Sequence, residues 1–339
     1  MLPNWIIAGA PKAGTSSLFR WLVDHPQVSG SREKETYYFV DPGTHMYRPD
    51  RNLRANGLPG YQEFFSHCEP SARVIVESTP GYMYASTALT ELPRLPTRPD
   101  LVFVLRDPVE QIKSLFVYFQ QNWNWIPRTL TFRDFVAALE RRTAAFNGNE
   151  LAADALENAD YLAHLRRWKA ACGAERMHVV LFEDMVRDKC GFMRAMASRM
   201  GIDPAFYDDY AFPAENVSYA VRSGVLQDVN IRVRALVPQG RMYRALRRLY
   251  RAMNTAPAPS RQVCDAETEQ KLSRRYASML DDLEREFDLD LTSWRGAFRA
   301  RIEQQGEEAN GMRLVGPRPD VARDPVIGRE MDRGRVSLS

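Results

Sequence analysis

An α/β fold, a central parallel sheet flanked by layers of helices, is what this sequence predicts, and three observations predict it. Short apolar runs recur along the chain, segments of helical periodicity separate them, and a glycine-containing loop joins the first run to the first helical segment. Such alternation is the pattern of a doubly wound sheet, whose ligands bind beyond the carboxyl ends of the strands.

The apolar runs are Trp5-Ile6-Ile7-Ala8, Arg73-Val74-Ile75-Val76, Leu101-Val102-Phe103-Val104-Leu105 and His178-Val179-Val180-Leu181-Phe182. Their length and β-branched content fit strands buried on both faces. Residues 15–23 read as a helix with Leu18, Leu22 and Val23 near one face. Further helical patterns fall at 84–92, 109–121, 131–143, 150–171, 189–200 and 265–287. Residues 1–300 are expected to form a single domain, and 301–339, polar and poor in large apolar residues, a flexible tail.

Segment 222–261 has its own composition, with nine arginines against one acid, Asp228. Over 241–253, Met242, Leu246, Leu249, Tyr250 and Met253 share one face and Arg241, Arg244, Arg248 and Arg251 another. Two readings fit this basic insertion. It is a surface helix packed on the core, or a lid that meets an anionic acceptor or makes a peripheral contact with anionic lipid.

Composition narrows the classes. The chain has 339 residues, 45% hydrophobic and 26% charged, as ordinary globular proteins have. A net charge of +3 gives no argument for a nucleic-acid partner. Cys68, Cys172, Cys190 and Cys264 are scattered, which suits reduced thiols better than a disulfide framework or a zinc site. No apolar run approaches the roughly 18 residues of a membrane span. Only Met1-Leu2-Pro3-Asn4 precede the first strand, so a cytoplasmic location is expected.

The loop GAPKAGTSS, 9–17, carries the first chemistry. Gly9 and Gly14 have the spacing of a triphosphate-binding loop, G-x-x-x-x-G-K-[ST], yet Thr15 stands where the lysine belongs and the lysine is Lys12. The glycines allow close backbone approach to an anion, and the helix that follows points free N–H groups at it. Thr15, Ser16 and Ser17 add hydroxyl donors. A kinase or ATPase would also need an aspartate to hold magnesium. LVFVLRDP ends in Asp107, but Arg106 intervenes, and an arginine at that strand end favours an anion.

P-K-A-G-T-S-S-L, 11–18, resembles the 5′-phosphosulfate loop of the sulfotransferases that use 3′-phosphoadenosine 5′-phosphosulfate (PAPS). The family's lysine sits inside the loop, as Lys12 does, and the family needs no metal. The resemblance implies a P-loop-type three-layer fold, with Lys12 and the backbone of Ala13, Gly14, Thr15, Ser16 and Ser17 on the 5′-phosphosulfate. L-R-D-P-V-E-Q-I-K-S, 105–114, resembles the second signature, R-x-P-x-x-x-x-x-S, which assigns Arg106 and Ser114 to the 3′-phosphate. Bidentate guanidinium contacts to phosphate agree with that role. Gln111 stands where relatives often have arginine. N-V-S-Y-A-V-R-S, 216–223, sits where relatives place a late cofactor loop, which makes Arg222 a further candidate.

R-E-K-E-T-Y-Y-F, 32–39, resembles the K-E-P-x-F-F element of the heparan-sulfate branch, which implies Glu35 as general base beside Lys34, with Thr36 replacing proline. E-S-T-P-G-Y, 77–82, resembles that branch's E-K-[ST]-P-x-Y and implies that Glu77 and Tyr82 line the acceptor cleft. The resemblance spans about 5–295 and implies in-line sulfonyl transfer to a hydroxyl of a glycan or glycolipid, without metal. His25, His45 and His67 are the alternatives to Glu35 as base, and Trp123 and Trp125 are candidate sugar-stacking rings. The competing classes are a P-loop small-molecule kinase or other nucleotide-binding enzyme, disfavoured by Thr15, and a nucleotide-binding module without catalysis.

Overall fold

Five strands form one parallel sheet: β1 (Trp5–Gly9), β2 (Val28–Gly30), β3 (Val74–Glu77), β4 (Asp100–Leu105) and β5 (Met177–Leu181), in the order β2-β3-β1-β4-β5. A computed structural model describes residues 1–213, 219–221, 255–257 and 265–311, with side chains for 1–213 and 265–303. Arg222, the amphipathic stretch 241–253 and residues 312–339 lie outside the described residues. Tyr219–Val221 and Thr255–Pro257 pair antiparallel as a separate two-stranded sheet.

β1 and β4 are apolar on both faces because helices cover both, and Ile6, Ile7, Val102, Phe103 and Val104 are fully buried. Trp5 is in register with Val76 on one side and Asp100 on the other, and Leu105 aligns with Leu181. The chain leaves β1 toward β2 and β3, then crosses to β4 and β5 on the far side. β1 is therefore the switch point, and the loops after β1, β3 and β4 open onto one crevice.

The four expected strands are present to within one or two residues. β2 was not foreseen, since Val-Ser-Gly offers only one apolar residue, and its pairing with β3 comes from the sheet edge. The helices at Thr15–Val23, Pro108–Asn122, Phe132–Arg141 and Lys189–Met200 match expectation closely. The span expected as one helix over 150–171 is three, Glu150–Ala153, Ala155–Asn158 and Tyr161–Cys172. Asp154 and Asp160 interrupt it, each with non-helical backbone. Aspartate competes for local backbone bonds, which helical periodicity alone does not register. Likewise 265–287 divides into Ala266–Ala277 and Leu280–Phe287.

A last helix runs Thr292–Gly311, so residues 301–311 of the expected tail are helical. Leu291, Trp294 and Phe298 bury this helix against the core, and the Tyr276 hydroxyl donates to the Leu156 carbonyl at 2.8 Å.

Candidate active site

A cleft of about 880 Å³ lies at the carboxyl ends of β1 and β4. Its walls include Lys12, Gly14, Thr15, Ser16, Ser17, Glu35, Arg106 and Ser114, residues drawn from three separate stretches of sequence. Ala13 and Lys34 are not on the wall; Ala13 is fully buried behind the loop.

Gly14 adopts φ 82°, and a Cβ there would meet Met185 at 2.5 Å and Phe182 at 2.7 Å, so only glycine fits. Lys12 is also left-handed, at φ 68°, which costs a lysine on the order of 1 kcal/mol and turns its side chain toward the cleft. Two bonds hold the loop. The Arg106 guanidinium donates to the Lys12 carbonyl at 3.2 Å, and the Gln111 amide to the Pro11 carbonyl at 3.0 Å. Gln111 is thus a structural tie and not a phosphate contact.

The amides of Gly14, Thr15 and Ser16 make no hydrogen bond among the described residues, and neither do the Ser16 and Ser17 hydroxyls. The Ala13 and Ser17 amides are spent on the Ala10 and Gly14 carbonyls. Of the five expected backbone donors, then, three are open. Open amides at a helix start, two hydroxyls and a cation suit a phosphate group. Arg106 and Ser114 line the same cleft and suit a second one.

Lys12 Nζ sits 3.8 Å over the Tyr118 ring. Burial, with Arg106 beside it, lowers the Lys12 ammonium to about 8, against the pull of Glu35. A buried cation short of counter-charge is a site prepared for an anion.

Glu35 is clamped from two sides. Lys34 Nζ stands 2.7 Å from Oε1, and the Tyr37 hydroxyl donates to Oε2. Burial opposes its ionisation, but Lys34, Tyr37 and Lys12 outweigh it and hold the carboxyl below its ordinary range. The loop itself is pinned: Glu33 pairs with Arg48 at 2.9 Å and Arg51 at 2.5 Å, and the Ser78 amide donates to the Lys34 carbonyl at 3.1 Å.

Glu77 and Tyr82 correct the sequence reading. Both are fully buried and neither lines the cleft. Glu77 accepts from the Tyr61 hydroxyl at 2.9 Å, Thr79 at 2.5 Å and Thr36 at 3.0 Å. Tyr82 shares a hydrogen bond with Thr36 at 2.9 Å and accepts from the Tyr38 amide at 3.0 Å. They fasten the 32–39 loop from below. The threonine that replaces proline at 36 supplies a hydroxyl that a buried carboxylate requires. From the same element Pro80 and Gly81, and just beyond it Tyr84, face the cleft instead.

Of the three histidines, His25 is buried and bonded to the Asp203 carbonyl at 3.0 Å, and His67 lies off the cleft. His45 does line it, with Nδ1 2.8 Å from Glu150 and its ring edge-on to Trp125. Trp123 and Trp125 stack on each other 5.1 Å apart and line the cleft. Asp107, the one candidate magnesium anchor, is occupied: it accepts from the Val109 and Glu110 amides and pairs with Arg301 at 2.8 Å.

Tyr37 and Tyr118 were missed as functional side chains. Tyr118 lies four residues after Ser114 on one helix face, a spacing that could have flagged it. The Tyr37–Glu35 contact had no such signal.

Known proteins resemble this chain in sequence and in fold. The model of the Sulfotransferase family matches residues 3–208. The chain is 31% identical over 124 residues to the membrane-associated sulfotransferase kil1 of Dictyostelium discoideum, covering 36% of this chain and 24% of that protein. It is 25% identical over 213 residues to the heparan sulfate glucosamine 3-O-sulfotransferase 3B1 of Mus musculus, covering 62% of this chain and 49% of that one. It is 22% identical over 209 residues to the human bifunctional heparan sulfate N-deacetylase/N-sulfotransferase 2, covering 60% and 22%. The matches thus span about half or less of these relatives' length. A solved sulfotransferase from Alicyclobacillus acidocaldarius superposes with a TM-score of 0.61 at 20% identity, over 87% of this chain and 99% of that one, a likeness of fold. Among the described residues no helix is long and apolar enough to cross a membrane.

Proposed function

The chain belongs to the sulfotransferase family, and from that premise we propose that it transfers the sulfonyl group of PAPS to a hydroxyl of a carbohydrate or glycolipid acceptor, in line, with Glu35 as general base. The observation that carries the reading is the meeting of Lys12, Glu35, Arg106 and Ser114 on one cleft. PAPS supplies an electrophilic sulfonyl group on a phosphate leaving group.

The open amides of Gly14, Thr15 and Ser16 hold the 5′-phosphate, and Arg106 and Ser114 hold the 3′-phosphate. Lys12 neutralises charge that develops on the bridging oxygen, where a preorganised cation acts most strongly. Glu35 takes the acceptor's hydroxyl proton. Each of its oxygens keeps a lone pair beyond the bonds to Lys34 and Tyr37, and its low pKa keeps it ionised and ready. Trp123 and Trp125 offer flat faces to a sugar ring. The names of the heparan sulfate relatives favour a glycan acceptor.

Calorimetry tests the donor. Desulfated donor, 3′-phosphoadenosine 5′-phosphate, should bind without metal, and Arg106→Ala should weaken it by about 2–4 kcal/mol. Tighter binding of ATP with magnesium would return the kinase alternative. Labelled donor offered to glycans and glycolipids tests the acceptor class.

A further inference from the structure

We propose that Arg301, on the C-terminal helix and outside the stretch matched by the family model, is a positioning residue that keeps Arg106 free for the donor's 3′-phosphate. The inference rests on the PAPS reading above.

Arg106 stands beside two carboxylates that could capture it. Asp107 is its chain neighbour, and Glu110 Oε2 is already 3.9 Å from Arg106 Nη2. Arg301 occupies both: Nη1 is 2.8 Å from Asp107 Oδ2, and Nη2 is 3.2 Å from Glu110 Oε1. Its Nε lies 3.7 Å from Glu269. Lys113 completes the group, 3.2 Å from Glu110 and 2.8 Å from Glu269. The Arg301 side chain is only 14% exposed, and it reaches from 292–311 across to the helix that carries Ser114.

The local charge balance makes Arg301 decisive. Asp107, Glu110 and Glu269, with Glu183 on the Asp107 amide at 2.9 Å, are four carboxylates. Without Arg301, among the described residues only Lys113 and Arg106 remain to face them. A half-buried carboxylate stripped of its partner takes the nearest cation. Lys113 stays on Glu110 Oε1 but is shared with Glu269, so the cation facing Glu110 Oε2 is Arg106, 3.9 Å away, which would tilt away from the cleft and carry a carboxylate toward the phosphate site.

The test compares two nucleotides on the full chain by calorimetry: 3′-phosphoadenosine 5′-phosphate, and adenosine 5′-monophosphate, which lacks the 3′-phosphate. Arg301→Gln should weaken the first by about tenfold or more and the second by less than about twofold, and Arg301→Lys should do less harm. Adding Glu110→Gln to Arg301→Gln should restore most of the lost affinity. Should Arg301→Gln not fold, Glu110→Gln alone serves, with an expected gain of about twofold or more for the 3′-phosphate nucleotide only. Equal weakening of both nucleotides, no rescue in the double variant, or no gain in Glu110→Gln overturns the inference. If the unaltered protein binds the two nucleotides equally, the donor reading itself fails, and this inference with it.

Discussion

Glu35 and Glu77 both adjoin Thr36, the first as its chain neighbour and the second as the acceptor of its hydroxyl, and their surroundings differ. Glu35 borders the cleft and is met by cations, Lys34 and Lys12, with one hydroxyl. Glu77 is fully buried and is met by neutral donors, the hydroxyls of Thr36, Tyr61 and Thr79 and the Thr36 amide. The carboxyl of Glu35 is held below its ordinary range, and burial pushes that of Glu77 above it. Counter-charge prepares a carboxylate for chemistry, whereas neutral donors in a dry site make it a structural pin.

The largest expected effect separates the two roles. Glu35→Gln should lower turnover by about 10²–10⁴ while nucleotide affinity stays within a few-fold. Steady-state rates and calorimetry on the same sample check this, and a variant that kept most of its activity would end the base assignment. Glu77→Leu should behave in the opposite sense. It strands three buried hydroxyls and should cost about 2–4 kcal/mol in urea unfolding. Any activity lost should follow the unfolded fraction.

Lys12 sharpens the comparison through pH. Its folded-state pKa is about 8, below the ordinary 10.5. Between those values the unfolded chain binds a proton that the folded chain does not, so this group's contribution makes stability rise with pH across the window. Affinity for the 3′,5′-bisphosphate nucleotide should run the other way and fall about tenfold per pH unit once the free ammonium titrates. Titrations at pH 7, 8 and 9 read this directly, and a flat profile would remove Lys12 from the phosphate site. Glu35, whose folded-state value is also lowered, slopes the same way in a more acid window. Its stabilising contribution is present above the ordinary carboxyl range and is lost as pH falls through its lowered value.

The smallest effect expected is that of Tyr37→Phe. Removal of one hydroxyl from Glu35 should slow turnover by about twofold to tenfold. It should also move the acid limb of the rate profile upward. An unchanged limb would leave Lys34 and Lys12 as the groups that set it.

The sheet was legible because β1, β3, β4 and β5 are continuous apolar runs bounded by turn residues. The loop at 9–17 was legible because glycine, lysine and hydroxyls fall within nine consecutive residues. Burial was the harder part. Glu77 reads as a cleft residue when its motif is taken alone, yet it closes a strand whose preceding Val76 is fully buried, and that was the available signal. Helix 53–62 was not foreseen because Gly57 and Pro59 break its period. Arg301 could not be found at all from local pattern. Its partners at the start of the Ser114 helix, Asp107 and Glu110, are 194 and 191 positions away, and no periodicity encodes a contact made by folding.

The two ties on the 10–14 loop have one more consequence. Arg106 fastens the Lys12 carbonyl and Gln111 the Pro11 carbonyl, and both belong to the segment that also bears Ser114. Under the proposed reading, the grips for the two ends of the donor are then parts of one rigid body. Their separation acts as a ruler, cut before any nucleotide arrives, so a molecule with its phosphates differently spaced is refused by length and not by charge.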